Sequence, residues 1–384
     1  MKKLTTVLAV GAAALASQVA ADTQGVSDGE VVIGSVNDLS GIFAAVGVPA
    51  VNGANMRFDE VNAAGGVHGR QIRFVVEDNG YQIPRAMQGY NKLLNRDKAF
   101  AMLLSLGTPM NVAGFKLLDP KGIPNVGPLS AARQMLQEPM DNKFIGFSSY
   151  YDQVQVGATY LAEEFGAKEL CTMYIPSDFG KEIAESTADV AKSMGLTMGS
   201  ETTHKPDELD FVGSLGKHKA AGCDVITMAL GVRQGITVVG TAKKLGWTDV
   251  KFLNTSAGFL EPVAMVPGGV TDGLYAASGW QDLYARAADP VPGKFIADYK
   301  AKFDQPASGF AMLGYSAADT LVRALEAAGP ELTHEGFIAA METLDYMDEL
   351  TGSQTTYGPD DHRGADEVVI SVVENGGWKT VAVK

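Results

Sequence analysis

Gly314-Tyr315-Ser316-Ala317-Ala318 is the run that comes nearest to a catalytic nucleophile motif in this 384-residue chain. A nucleophile elbow needs a serine between two glycines on a sharp strand-to-helix turn, so that its hydroxyl stands clear of the backbone. Ala318 replaces the second glycine, and the surrounding Phe310 to Ala328 reads as a helix, so a helix-surface serine is expected. Asp360-Asp361-His362-Arg363 carries acid, base and metal-ligating groups, but it follows Gly358-Pro359 and reads as a solvated turn. No glycine-rich loop ends in Lys and Ser/Thr to cradle a nucleotide phosphate. The histidines (His68, His204, His218, His334, His362) and two cysteines show no zinc-ligand spacing. No catalytic set, metal site or cofactor is therefore expected.

Loops with binding chemistry remain. Ser105-Leu106-Gly107-Thr108-Pro109 follows an apolar run and precedes a helical one. Two hydroxyls, a glycine that lets backbone approach closely, and the positive end of a helix together suit a carboxylate. Capping by Thr108 explains the same residues and is compatible with binding. Gly127-Pro128-Leu129-Ser130-Ala131 has the same logic with fewer donors. Farther along, the matching tips are Asp178-Phe179-Gly180, Gly231-Val232-Arg233 and Asn254-Thr255-Ser256.

The elements that must position these loops alternate between strand and helix. Strands are expected at Val31–Val36, Ile72–Asp78, Ala99–Leu104 and Ile123–Val126, with helices at 50–63, 84–96 and 111–119. The pattern repeats with strands at 170–175, 197–202, 224–230 and 251–254, and helices at 180–193, 210–221 and 234–245. Apolar strands separated by helices imply βαβ units and parallel sheets covered on both faces. Ligands of such sheets bind at the carboxyl ends of the strands, where the loops above lie. Two similar α/β lobes are expected, with junctions near Ser148, Ser278 and Gly358. These make 22–148 plus 279–357 one lobe and 149–278 plus 358–384 the other.

Lys2 and Lys3 precede an apolar stretch from Leu4 to Ala16, and Val19-Ala20-Ala21 places small residues at a cleavage site. This reads as a signal peptide, residues 1–21, cut near Ala21. The stretch falls short of the roughly 20 apolar residues a membrane-spanning anchor needs. The expected location is the periplasm, as a monomer. Formal charge is -14, and losing Lys2 and Lys3 makes the body more acidic still, which opposes binding to nucleic acid or to anionic lipid. Hydrophobic residues make up 46% and charged residues 20%, enough for two packed cores. Cys171 and Cys223 each open an expected strand; in an oxidising compartment they pair, or else remain two buried thiols.

Asp38-Leu39-Ser40-Gly41 with Gly47, then Val61-Asn62-Ala63-Ala64-Gly65-Gly66-Val67-His68-Gly69-Arg70, then Glu77-Asp78, resembles the N-terminal signature of the periplasmic solute-binding proteins of branched-chain-amino-acid-type ABC importers. The likeness continues through Leu106-Gly107-Thr108-Pro109, Ser177-Asp178-Phe179-Gly180-Lys181 and Gly358-Pro359, across the whole mature chain. It implies an α/β fold of type I: two doubly wound parallel-sheet lobes joined by three crossovers, closing on a small-molecule ligand and docking on an ABC permease in the inner membrane, with no reaction catalysed.

The departures bear on the ligand. In amino-acid-binding members the loops matching Ser105–Thr108 and Ser130-Ala131 hold the α-carboxylate and α-amino group, and a second-lobe acid pairs the ammonium. That acid aligns with Ser256, or falls within Asn254 to Gly258, where this chain has none. A first-lobe pocket tyrosine aligns with Val46, a second-lobe one with Phe179, and another with Gly231 or Val232. An unpaired ammonium in a closed cleft costs several kcal/mol. The resemblance therefore implies a small organic carboxylate, aromatic or otherwise, ahead of a branched-chain amino acid; a ligand-sensing module for a membrane receptor is a further alternative. The ligand-binding residues implied are Phe43, Ser105, Leu106, Gly107, Thr108, Ser130, Ala131, Tyr150, Tyr151, Phe179, Val232, Arg233 and Ser256, with Arg233 or Arg133 opposing the carboxylate.

Overall fold

The computed structural model describes residues 23–384; the signal segment and its cut near Ala21 lie outside the described residues. The first sheet holds β1 (Glu30–Asn37), β2 (Gln71–Asp78), β3 (Ala101–Leu103), β4 (Asn125–Val126) and β5 (Lys143–Phe144). All are parallel, in the order β2-β1-β3-β4-β5. Parallel neighbours need long connections, supplied here by α1 (Ala44–Ala63), α2 (Ile83–Asn95) and α3 (Thr108–Leu118). Strand order reverses on either side of β1, so the loops after β1 and β3 diverge and leave a crevice between them.

The second lobe opens with α4 (Tyr150–Phe165), then β6 (Glu169–Tyr174), α5 (Asp178–Met194), β7 (Thr197–Thr203), α6 (Val212–Ala220), β8 (Val225–Ala229), α7 (Val232–Lys244), β9 (Lys251–Asn254), α8 (Glu261–Ala264) and β10 (Tyr275–Ser278). The chain then returns to the first lobe for α9 (Pro290–Phe303), α10 (Gly309–Ala328), α11 (His334–Met341) and a ribbon of β11 (Asp345–Asp348) and β12 (Ser353–Thr356). It ends in the second sheet with β13 (Val369–Glu374) and β14 (Gly377–Val383), giving the order β14-β13-β10-β9-β8-β6-β7. The last two strands are antiparallel, so this sheet is mixed where a wholly parallel one was expected. The reason is local: Asn375 and Gly376 both have positive φ, 54° and 79°, and turn the chain straight back as a hairpin.

The chain passes between sheets three times, after Phe144, after Ser278 and after Thr356, and we place the lobe limits in those connections. The connections touch one another: the Ile145 amide donates to the His362 carbonyl, and the Ser148 hydroxyl donates to the Glu367 carbonyl. Trp280 of the second connection packs edge-on against Phe147 of the first, with ring centroids 4.9 Å apart.

Helix α1 starts at Ala44, earlier than the expected start at Ala50, with Pro49 inside it. The Asp38 carboxylate fixes that start by accepting from the Ser40, Gly41 and Phe43 amides. A Cβ on Gly314 of α10 would lie 1.9 Å from the Ala50 carbonyl oxygen, and one on Gly53 of α1 would lie 2.0 Å from that of Ala311. The two helices therefore cross backbone to backbone, which explains the glycine in the Gly-x-Ser run as packing. Cys171 on β6 and Cys223 before β8 form a disulfide, with Cα atoms 5.9 Å apart. Among the described residues, the one grouping with metal-ligand spacing is Cys171, His218 and Cys223, and its two sulfurs are bonded to each other. No described helix is long and apolar enough to cross a membrane.

Candidate functional site

A cavity lies between the lobes. Its first-lobe wall is built from strand-end loops and helix starts: Phe43 and Val46 on α1, Tyr81 after β2, Leu106 to Thr108 after β3, Leu129 and Ser130 after β4, and Phe310 on α10. The second lobe contributes Phe179 from the first turn of α5 and Ser256 with Ala257 after β9. Tyr150 opens α4 of the second lobe, and Phe147 and Trp280 come from the connections between lobes.

The polar end is small and well defined. Gly107 caps α3 with φ 103°, and a Cβ there would meet Met110 Sδ at 2.9 Å and the Tyr81 ring at 3.1 Å, so only glycine brings the chain this close. Thr108 Oγ1 and Ser130 Oγ are 2.8 Å apart, both buried. One hydroxyl donates to the other, which leaves one O–H for a ligand, beside the free amides of the first turn of α3. Burial, more than any neighbouring group, pushes the Tyr81 and Tyr150 phenols well above their usual range, so both stay neutral donors.

The rest is aromatic. Phe43 stands 4.7 Å from Tyr81 and 6.2 Å edge-on from Phe179, centroid to centroid, and Tyr150 meets Phe179 at 5.1 Å. Phe147 and Phe310 flank Trp280 at 4.9 and 5.8 Å. Aromatics make up seven of the fifteen lining residues, and none of the fifteen is Asp, Glu, Lys, Arg or His. The cavity therefore offers apolar surface, hydroxyls and a helix end, and no formal charge to pair with either sign.

Eight of the residues expected from sequence line this cavity: Phe43, Leu106, Gly107, Thr108, Ser130, Tyr150, Phe179 and Ser256. Five do not. Ser105 is buried beneath its loop, where its hydroxyl accepts from the Val36 amide and its carbonyl accepts from Leu129 and Asn111. Ala131 is covered, and its carbonyl accepts from the Tyr150 amide. Tyr151 points outward, its hydroxyl donating to Asp189. Val232 is half-buried and Arg233 exposed, because the first turn of α7 presents that side to the lobe surface. Arg133 lies over the Tyr151 ring at 3.9 Å and pairs with Glu185 at 2.9 Å, so it is spent on the contact between lobes.

Glu182 lies at the same seam. Its buried carboxylate on α5 accepts from the amides of Arg133 and Tyr151. Burial pushes its pKa up to about 7, against the lowering pull of those amides and of the Arg133 charge. Glu261, the acid nearest Ser256 in sequence, is buried outside the cavity wall; it accepts from the Gly309 amide at 2.6 Å, and burial pushes it up to about 8. Sequence reasoning aligned Val46 with a pocket tyrosine without counting it among the binding residues, and it missed Tyr81, Leu129, Phe147, Ala257, Trp280 and Phe310. Phe147 and Trp280 carry a signal in retrospect, since each sits next to an expected lobe junction.

A family model described as periplasmic binding protein matches residues 30–377. The chain belongs to that family. Its members are solute-binding proteins, which bind small molecules and deliver them to ABC permeases, rather than enzymes. A "Leu/Ile/Val-binding protein homolog 8" of Brucella abortus is 23% identical over 338 residues, covering 84% of this chain and 83% of its own. A fatty acid ABC transporter substrate-binding protein from Thermomonospora curvata superposes with a TM-score of 0.83 at 23% identity, covering 94% of both chains. The benzoate complex of an ABC transporter solute-binding protein from R. palustris gives 0.81 at 16% identity, covering 92% of this chain and 96% of that one. At these identities the two solved structures share the fold with this chain.

Proposed function

We propose that this protein is the periplasmic receptor of an ABC importer and that it captures a hydrophobic monocarboxylate without an α-amino group. The observation that carries the reading is the charge-free aromatic cavity with paired hydroxyls at a helix start. The carboxylate sits against Thr108, Ser130 and the first turn of α3, where the helix end favours an anion. The neutral phenols of Tyr81 and Tyr150 add donors, and the apolar body packs among Phe43, Phe179 and Phe147. An ammonium group finds no acid on this wall, so leucine and valine are disfavoured. The relatives' printed ligands, which run from branched-chain amino acids to fatty acid and benzoate, support a family pocket that changes with its lining. The basic, apolar and small-residue pattern of residues 1–21 and membership of the family both support export to the periplasm.

A thermal-shift screen of the mature protein tests this directly, comparing benzoate and straight-chain carboxylates with leucine, isoleucine and valine. A ligand at a thousand times its Kd adds about 4 kcal/mol and moves the midpoint by several degrees. The expected result is a shift with acids that lack the amino group. Stabilisation by leucine with none by the acids would refute the assignment.

A further inference from the structure

We propose that the binding site is bipartite, with a second chamber that receives the far end of an elongated monocarboxylate ending in a hydrogen-bond donor, a hydroxyl or an amine. This rests on the carboxylate reading above. The second cavity lies behind the first and shares Leu129, Phe147 and Trp280 with it. Those shared side chains are therefore the partition between the two spaces.

The second chamber differs in chemistry. Its far wall is made by α10 and the β11–β12 ribbon and carries Ser316, Asp348, Ser353 and Thr355. Burial alternates along β12, with Ser353 and Thr355 inward and Gln354 and Thr356 outward, as a strand with one covered face requires. A covered face of hydroxyls is unusual where a core would place valine or leucine. Ser316 is 8% exposed, and its hydroxyl has no hydrogen-bond partner. A helical serine with nothing else to bind normally returns its hydroxyl to the carbonyl one turn back, as Thr320 does here to the Ser316 carbonyl. One Asp348 oxygen accepts from the Leu350 and Thr351 amides, which fixes the carboxylate on the wall as an acceptor. An unpaired hydroxyl and an oriented carboxylate at the end of an apolar passage fit a donor carried on a chain.

The test is titration calorimetry on the mature protein with benzoate, butanoate, hexanoate, octanoate and decanoate, and with the ω-hydroxy forms of the longer acids. Affinity is expected to rise about two- to fourfold per methylene once the chain passes Trp280, with the ω-hydroxy acid binding at least as tightly as its parent. In Ala317→Leu, which fills the second chamber, the octanoate-to-benzoate affinity ratio falls at least tenfold. In Ser316→Ala and Asp348→Asn, which keep the volume, the ratio of ω-hydroxy acid to parent falls about tenfold. If short acids bind but affinity is flat or falls with length, or if Ala317→Leu leaves the length ratio unchanged, the second chamber is overturned while carboxylate capture stands. If no carboxylate of any length binds, the carboxylate reading fails and this inference with it.

Discussion

Glu182 makes ligand affinity depend on pH, and the structure sets both sign and size. Its carboxylate belongs to the second lobe, and two of its partners, the Arg133 amide and the Arg133 guanidinium, belong to the first. When the lobes part, the carboxylate returns to water and to its ordinary pKa of 4.5; when they meet, burial raises it to about 7. The closed form therefore holds a proton that the open form releases. Above pH 7 closure must bury a charge, and as pH falls through 7 that cost is relieved by protonation, so binding strengthens. Below about 4.5 both forms are protonated and the effect levels off. Between about pH 8 and about pH 5.5 the gain reaches up to about 30-fold, on the order of 2 kcal/mol.

Titration calorimetry with benzoate across that window measures the effect, because the ligand carboxylate stays ionised throughout it. Arg133 and Glu185 face the same seam, and Arg133, raised further by its acidic neighbours, keeps its charge over that range. Glu182→Gln is neutral at every pH and retains an acceptor for the Tyr151 amide. It should bind at pH 8 with the affinity the wild type reaches only in mild acid, and show no slope. A wild type without pH dependence, or a Glu182→Gln variant with the same slope, would refute the coupling between this carboxylate and closure.

Thr108→Ala and Ser130→Ala should each weaken benzoate binding by about 1–3 kcal/mol in calorimetry, since each strands a charge-assisted acceptor. Arg233→Ala should leave affinity within error, because that side chain is exposed outside the cavity. Gly314→Ala pushes a Cβ to 1.9 Å from the Ala50 carbonyl oxygen and should lower the stability read from urea unfolding by at least about 1–3 kcal/mol. Reduction of Cys171–Cys223, which closes a loop with a separation of 52 residues, should cost about 2–4 kcal/mol in the same assay. Ser256→Asp should raise the affinity ratio of leucine to 4-methylpentanoate, its analogue without the amino group; an unchanged ratio would remove Ser256 from the ammonium position.

Much of the alternation of strands and helices up to residue 254 was legible, because apolar runs between helical segments leave few other parallel arrangements, but the two-residue β5 and the helix α4 between 126 and 170 were not read. The end of the chain was not read as strands. β11 and β12 are short and polar, and β13 and β14 depend on pairing with β10, far away in sequence. The strand-end rule brought out Thr108, Ser130, Phe179 and Ser256, because backbone geometry alone puts those loops at the cleft. It could not tell Ser105 from Thr108: both are hydroxyls on one loop, and only the positive φ of Gly107 turns the second toward the cavity while the first faces β1. Arg133 and Arg233 were drawn in by charge complementarity, which sequence cannot check against direction. Tyr81, Trp280 and Phe310 escaped because aromatics in a cleft and aromatics in a core look alike until the lobes are assembled.

Selectivity in this cleft is set by what the wall omits. A carboxylate is served without a cation by hydroxyls, helix amides and neutral phenols, which approach closely and are already oriented before the ligand arrives. An ammonium would need an acceptor of comparable quality, and buried acids nearby are committed elsewhere: Asp38 to the amides that open α1, and the pair Glu182 and Glu261 to the Arg133 and Tyr151 amides and to the start of α10 respectively. Both are also pushed toward the neutral form by burial, so neither supplies a full charge at neutral pH. Stranding an ammonium here costs on the order of 3 kcal/mol, about a hundredfold in affinity against the same skeleton without it. On the proposed carboxylate reading, a serine at 256 in place of an acid acts by exclusion. The aromatic wall holds the carbon skeleton of either ligand, and the missing carboxylate decides which of the two can leave water.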